Sequence, residues 1–230
     1  MNHLTLNQNA KAEQQNPNLS MELYDFRFSR INSLIVKVTN RCNLNCAYCY
    51  ENVSRKGTDM TFGVFKTIID KTLNSTNDRK INIIFHGGEP TLLKNEWYVD
   101  AVSYAVTKAV ELGKEMKFGI QTNLTTLNQN KIDLFRYLNI SPGVSIDDPT
   151  LSSSSYRQKE NLVVKNIELL IKSEIKFGVL STINSSNFNI FKEIMLWLKE
   201  YDIKHFKANV VYPVGHGFNQ KSLTAEEIFY

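Results

Sequence analysis

From Ser33 onward the apolar positions follow two rhythms in turn. Short β-branched runs predict strands, and apolar residues three and four apart predict helices. Ser33–Val38 reads as a strand, and Phe62, Phe65, Ile68, Ile69 and Leu73 mark the helix after it. Ile81–Phe85 reads as a second strand, followed by a helix over Trp97–Leu112 with Ala101, Val102, Ala105, Val106 and Ala109 on one stripe. Lys117–Gln121 and Lys131–Leu138 form the third pair, Gly143–Ile146 and Leu162–Ile171 the fourth. Lys176–Ile183 is the fifth strand, and Phe188, Phe191, Ile194, Met195 and Leu198 mark the fifth helix. His205–Val211 is the sixth strand.

Each strand-plus-helix unit takes about 30 residues, the size of a right-handed βαβ crossover. Strict alternation predicts an α/β fold with a parallel sheet and helices outside it. A closed eight-fold barrel needs about 250 residues. Six strands use this whole chain, so a partial (β/α)6 TIM-like barrel fits better, with a doubly wound open sheet as the alternative. Either way, functional residues belong in the loops after the strand C-termini. Residues 1–20 are rich in Asn and Gln without apolar periodicity and predict a disordered tail, so residues 1–30 are tail and lead-in and 31–230 one core domain. Thr224-Ala-Glu-Glu227 has capping-box form, yet the sequence runs only to Tyr230. A helix that short buries little, so the expectation is a core domain truncated at its C-terminus.

Composition narrows the function. The 230 residues are 42% hydrophobic and 22% charged, an ordinary globular balance. Lys and Arg (27) exceed Asp and Glu (23) by a formal +4, but no basic run forms, so no nucleic-acid partner is expected. No apolar stretch approaches the roughly 18 residues of a membrane span, and the N-terminus has no apolar core of a secretory signal. The three cysteines lie within eight positions of one another, which is no disulfide framework. They point to a reducing, cytoplasmic setting and to metal or redox chemistry.

Those cysteines follow the first strand as Cys42-x3-Cys46-x2-Cys49, with Tyr48 before the last and Tyr50 after it. Three thiolates can wrap one compact centre but cannot fill four positions. On a cubane iron–sulfur cluster they leave one iron open. The competing reading is a non-catalytic zinc scaffold with His86 as the fourth ligand. The spacing, placed after the first strand of a β/α repeat, resembles the radical S-adenosylmethionine (SAM) superfamily. The resemblance implies that Cys42, Cys46 and Cys49 ligate one [4Fe–4S] cluster whose fourth iron is chelated by the methionine end of SAM.

Other segments extend the resemblance. His86-Gly87-Gly88-Glu89-Pro90 follows the second strand, and its glycines allow close backbone approach to a ligand. It resembles the family's GGEP motif, which implies that it holds the SAM ammonium, with Glu89 offering a carboxylate. Gln121-Thr-Asn123 ends the third strand and resembles a segment bordering the substrate, which makes Gln121 and Asn123 substrate candidates. Ser145-Ile-Asp147 ends the fourth; by resemblance Ser145 contacts the methionine end and Asp147 lies near the sugar or substrate. Arg157 fits the family's arginine for the SAM carboxylate, which a guanidinium fork suits. By the same resemblance Tyr48 packs on the adenine, with Thr182 and Tyr212 on the adenine side.

The combined motifs are most similar to the anaerobic sulfatase-maturating and peptide-maturase group. That likeness implies cleavage of SAM to a 5′-deoxyadenosyl radical that takes a hydrogen from a protein or peptide, with an electron donor such as flavodoxin or ferredoxin. Asp148 stands where that group has glycine, which bears on the substrate face. A single-cluster enzyme acting on a small molecule such as a deazapurine precursor is the alternative within the superfamily.

Overall fold

Six strands and five α-helices alternate along the computed structural model, which describes residues 30–51, 56–151, 156–185, 187–219 and 222–224. They are β1 (Ser33–Thr39), α1 (Phe62–Ser75), β2 (Lys80–Gly87), α2 (Asn95–Glu111), β3 (Glu115–Thr122) and α3 (Gln129–Tyr137). β4 (Ile140–Ser145), α4 (Glu160–Lys172), β5 (Gly178–Ile183), α5 (Phe191–Glu200) and β6 (Phe206–Val210) complete the series. The expected tail up to residue 29, the serine run 152–155 and residues 225–227 of the expected capping box lie outside the described residues. Among the described residues no helix is long and apolar enough to cross a membrane.

All five neighbouring strand pairs are parallel, in the order β1-β2-β3-β4-β5-β6. That order decides between the two expected architectures. A doubly wound sheet reverses direction at a switch point, and this sheet does not. Right-handed crossovers that always add the next strand on the same side put every helix on one face, which is the partial barrel.

The strands bury one face against the helices. On β2, Ile81, Ile83 and Phe85 are fully buried, whereas Asn82, Ile84 and His86 face the other way and are less covered. Phe85 stacks on Phe118 with ring centroids 6.0 Å apart and meets Tyr98 edge-on at 5.1 Å. Phe65, Ile69, Ala101 and Ala105 belong to the same first cluster. A second cluster joins Val144, Ile146, Val163, Ile167, Leu170, Val179, Ile194 and Trp197. Thr61 caps α1 by accepting the Val64 N–H, and Asn128 caps α3 by accepting the Lys131 N–H.

Three details differ from the pattern reading. β4 starts at Ile140 and runs through Pro142. The β4–β5 ladder begins only at Gly143, so no bond to β5 is asked of the proline. Val106 and Met195 lie outside the core at 41% and 44% exposure, because α2 buries Ala101, Val102 and Ala105 and α5 buries Ile194, Trp197 and Leu198. Phe188 belongs to a short 3-10 turn that precedes α5.

Candidate functional site

The carboxyl ends of the strands open into a cavity of about 760 Å³. Cys42, Cys46 and Cys49 all line it, each half-buried and none paired in a disulfide. Backbone contacts shape their loop. The Leu44 N–H points at Cys42 Sγ (3.4 Å), the Cys49 N–H bonds the Cys46 carbonyl (3.1 Å), and the Ala47 N–H bonds the Tyr156 carbonyl (3.1 Å). Burial raises the pKa of all three thiols, so thiolates here call for a positive partner. Among the described residues no three His, Cys, Asp or Glu side chains gather as they would around a single metal ion. A zinc cage with His86 as fourth ligand asks for that convergence. A four-iron cluster asks less, because each thiolate meets a different iron. Three free, half-buried thiols on one loop, all lining the same cavity, are a donor set that fits such a cluster.

The glycine loop is zipped onto the start of the cysteine loop. The Gly88 N–H bonds the Thr39 carbonyl (2.9 Å), and the Glu89 N–H bonds the Arg41 carbonyl (2.7 Å). A Cβ on Gly87, whose φ is +127°, would sit 2.0 Å from the Thr39 oxygen; one on Gly88 would sit 2.2 Å from the Arg41 oxygen. Only glycine permits this approach, and it leaves the Gly87–Gly88 backbone on the cavity wall.

Glu89 does not reach the cavity, contrary to expectation. Its side chain is fully buried and absent from the lining. Oε1 accepts from the Thr91 N–H (3.0 Å), the Thr91 hydroxyl and the Thr122 hydroxyl (2.7 Å), and Oε2 accepts the Asn123 N–H (2.7 Å). Burial raises its pKa against those bonds. The carboxylate ties the loop after β2 to the end of β3 and leaves the glycine backbone beside it on the cavity wall.

Gln121 and Ser145 line the cavity together, the Gln121 amide donating to the Ser145 hydroxyl at 2.8 Å. Gly143 leaves room for this, since a Cβ there would meet Gln121 Oε1 at 2.5 Å. Asn123 also lines the cavity and donates to Asn43 Oδ1 (3.0 Å) on the cysteine loop. Leu124 follows in the left-handed region (φ 58°), and its carbonyl is held by Asn166 (2.8 Å).

Across the cavity stand Tyr48, Arg157 and Thr182. Asp147 is again an exception. It is fully buried behind the wall, where the Tyr48 hydroxyl donates to Oδ2, Arg157 Nε lies 3.4 Å from Oδ2, and the Thr182 N–H donates to Oδ1 (2.9 Å). Arg157 Nη2 also donates to the Tyr48 hydroxyl (2.6 Å). Burial opposes the charge on Arg157, yet Asp147 and the neighbouring groups hold its pKa well above the usual value. Burial likewise pushes the Tyr48 phenol well up. Glu160 Oε1 accepts the N–H groups of both Asp147 (2.6 Å) and Asp148 (2.9 Å). Asp148 itself turns away to bond Thr150, so the residue that replaces glycine forms a turn rather than a cavity wall.

Two arrangements were not read from the sequence, although Tyr212 within the second was an adenine-side candidate and does line the cavity. Arg41 pairs with Asp59 through Nε and Nη2 (2.7 and 2.6 Å) and reaches the Leu92 carbonyl (3.3 Å), clamping both motif loops. The segment after β6 folds back over the cysteine loop, the His216 N–H bonding the Cys49 carbonyl (2.9 Å), and Val211, Tyr212 and Val214 line the cavity. Gly215 and Gly217, flanking His216, were the available clue to that close approach.

A one-way parallel β/α barrel with three thiols and a glycine cradle on its carboxyl edge defines a class, and comparison with known proteins identifies it. The chain belongs to the radical SAM superfamily, whose family model matches residues 36–225. Within it, the chain is similar to an uncharacterized protein of Methanocaldococcus jannaschii, with 32% identity over 78% of this chain and 63% of that one. It is also similar to a cysteine-type anaerobic sulfatase-maturating enzyme of Clostridium novyi (26%, 76% and 49%) and a GTP 3′,8-cyclase of Clostridium botulinum (28%, 86% and 63%). The chain thus spans less than two-thirds of these relatives' lengths. The fold is shared with the structure of native anSMEcpe with bound AdoMet and Kp18Cys peptide, at a TM-score of 0.69 and 22% identity over 80% of this chain and 52% of that one.

Proposed function

We propose that the chain is the radical-generating core of an enzyme that binds one [4Fe–4S] cluster and SAM and modifies a protein or peptide. Cys42, Cys46 and Cys49 would hold three irons, leaving the fourth for the amino and carboxylate groups of SAM. With both groups bound, the chemistry supplied is reductive cleavage of the sulfonium to a 5′-deoxyadenosyl radical that abstracts a substrate hydrogen. The chain's own work is placement and exclusion of water. The Gly87–Gly88 backbone receives the ammonium, with Glu89 fixing that loop from behind. Arg157 and Ser145 receive the carboxylate, Tyr48 and Thr182 the adenine side, and Gln121 and Asn123 the substrate side. Residues 31–230 act as one cytoplasmic core domain, reduced by a carrier such as flavodoxin or ferredoxin.

The carrying observation is convergence: three thiols, a side-chain-free backbone cradle and a held guanidinium share one cavity, whose size suits a ligand like SAM. Anaerobic reconstitution tests it. The protein is expected to take up iron and sulfide and to release 5′-deoxyadenosine from SAM under reduction. Cys46→Ala is expected to lose iron uptake while keeping its circular dichroism. Uptake of one zinc and no iron would overturn the reading.

A peptide substrate is supported by the sulfatase-maturating relative and by the peptide-bound structure of shared fold. The likeness to GTP 3′,8-cyclase favours a small-molecule second reading. Deuterium transfer into 5′-deoxyadenosine from labelled peptides, set against labelled nucleotides, separates the two.

A further inference from the structure

Asp147 and Arg157 are both withdrawn from water, yet only Arg157 lines the cavity. Asp147 approaches Arg157 at Nε, and Tyr48 accepts from Nη2. These two atoms lie on one edge of the planar guanidinium, which is held from behind the wall by the hydrogen bond at Nη2 and by charge attraction at Nε, where the 3.4 Å approach to Asp147 is an ion pair and not a hydrogen bond. The Tyr48 hydroxyl closes a three-membered ring by donating to the same Asp147 oxygen that faces Nε. The guanidinium also lies over the Tyr48 ring, 5.7 Å from its centroid. Asp147 is fixed in turn: its N–H is held by Glu160, its carbonyl by Asn187 (3.2 Å), and its second oxygen by the Thr182 N–H.

We propose that Asp147 is a positioning residue for carboxylate recognition: it does not touch the ligand but aims Arg157 at the ligand's carboxylate and Tyr48 at the adjoining wall. The inference rests on the SAM reading of the cavity. A carboxylate aimed at a guanidinium needs a planar fork in a fixed orientation, and an arginine tied at one edge loses little further freedom when it binds. The ion pair also offsets the cost of holding the Arg157 charge in a buried place.

The test is binding, read by calorimetry on the reconstituted protein, with SAM and with decarboxylated SAM as the two probes. Asp147→Asn keeps the shape and the acceptor for Thr182 but removes the charge. It is expected to weaken SAM roughly tenfold, the scale of one charge-assisted hydrogen bond, while leaving decarboxylated SAM unchanged. Arg157→Ala should show the same selective loss, and the double variant no additional loss, because both act through one contact. Equal weakening of both probes by Asp147→Asn, or additive losses in the double variant, would make Asp147 merely structural and overturn the proposal. Should Asp147→Asn fail to fold, Tyr48→Phe cuts the same ring from the other side and is expected to give a smaller but still selective loss. Wild-type protein that binds both probes equally would instead overturn the reading of Arg157 as the carboxylate partner.

Discussion

A single Cβ distinguishes the glycines of this site by what it would strike. At Gly88 the obstacle is the Arg41 backbone oxygen, 2.2 Å away, which cannot move without breaking the zipper between the two motif loops. Gly88→Ala is therefore expected to cost about 1–3 kcal/mol, as overpacking against fixed atoms does, and to reduce iron uptake on reconstitution sharply. At Gly143 the obstacle is the far end of Gln121. That side chain can swing away, so Gly143→Ala should cost under about 1 kcal/mol in a urea titration while breaking the Gln121–Ser145 bond. Motif spelling made the cysteines and glycines legible in the sequence, because spacing alone sets which residues share a loop. The true stations of Glu89 and Asp147 were not legible. Both follow polar strand ends, and nothing local says whether a carboxylate turns toward a cavity or toward backbone donors from β3 and β5.

At the scale of elements, the alternation of strand and helix was readable because each strand faces only one way. β2 pairs its buried Ile81, Ile83 and Phe85 with the helix layer, and those positions carry the period-2 pattern. Helix stripes were read less sharply, since 100° of helix face admits edge positions such as Val106 and Met195 that the core does not use. Phe85 sits where α1, α2 and β3 meet, in ring contact with Phe65, Trp97, Tyr98 and Phe118. Phe85→Ala should cost about 3–5 kcal/mol in chemical denaturation, because four aromatic neighbours cannot all collapse into the space. Met195→Ala, 44% exposed on α5, should change stability by less than about 1 kcal/mol. Reversal of that ranking would mean that the pattern reading of α5, not the packing, describes its core face.

For the molecule as a whole, an open barrel has a seam to manage. Among the described residues no ladder joins β6 to β1, so the sheet does not close over the cysteine loop. The chain after β6 closes it instead. Gly215, at φ +58°, brings its backbone against Tyr50, and the His216 N–H bonds the Cys49 carbonyl, so the strap is fixed to the last cysteine of the motif. Gly217 lets the strap pass the Tyr212 and Tyr48 carbonyls. This contact spans the seam between the first and last units, and strand pairing supplies no substitute for it. Gly215→Val meets two obstacles there: a left-handed backbone that β-branched residues resist, and a Cβ placed 2.7 Å from Tyr50 Cα. The strap should detach while both core clusters, which contain none of its residues, stay packed. The expected result is an unfolding midpoint close to wild type together with faster loss in air of the visible absorption of the proposed cluster after reconstitution, because solvent then reaches Cys49 from the seam. A variant that bleaches at the wild-type rate would show that the strap lies on the site without guarding it.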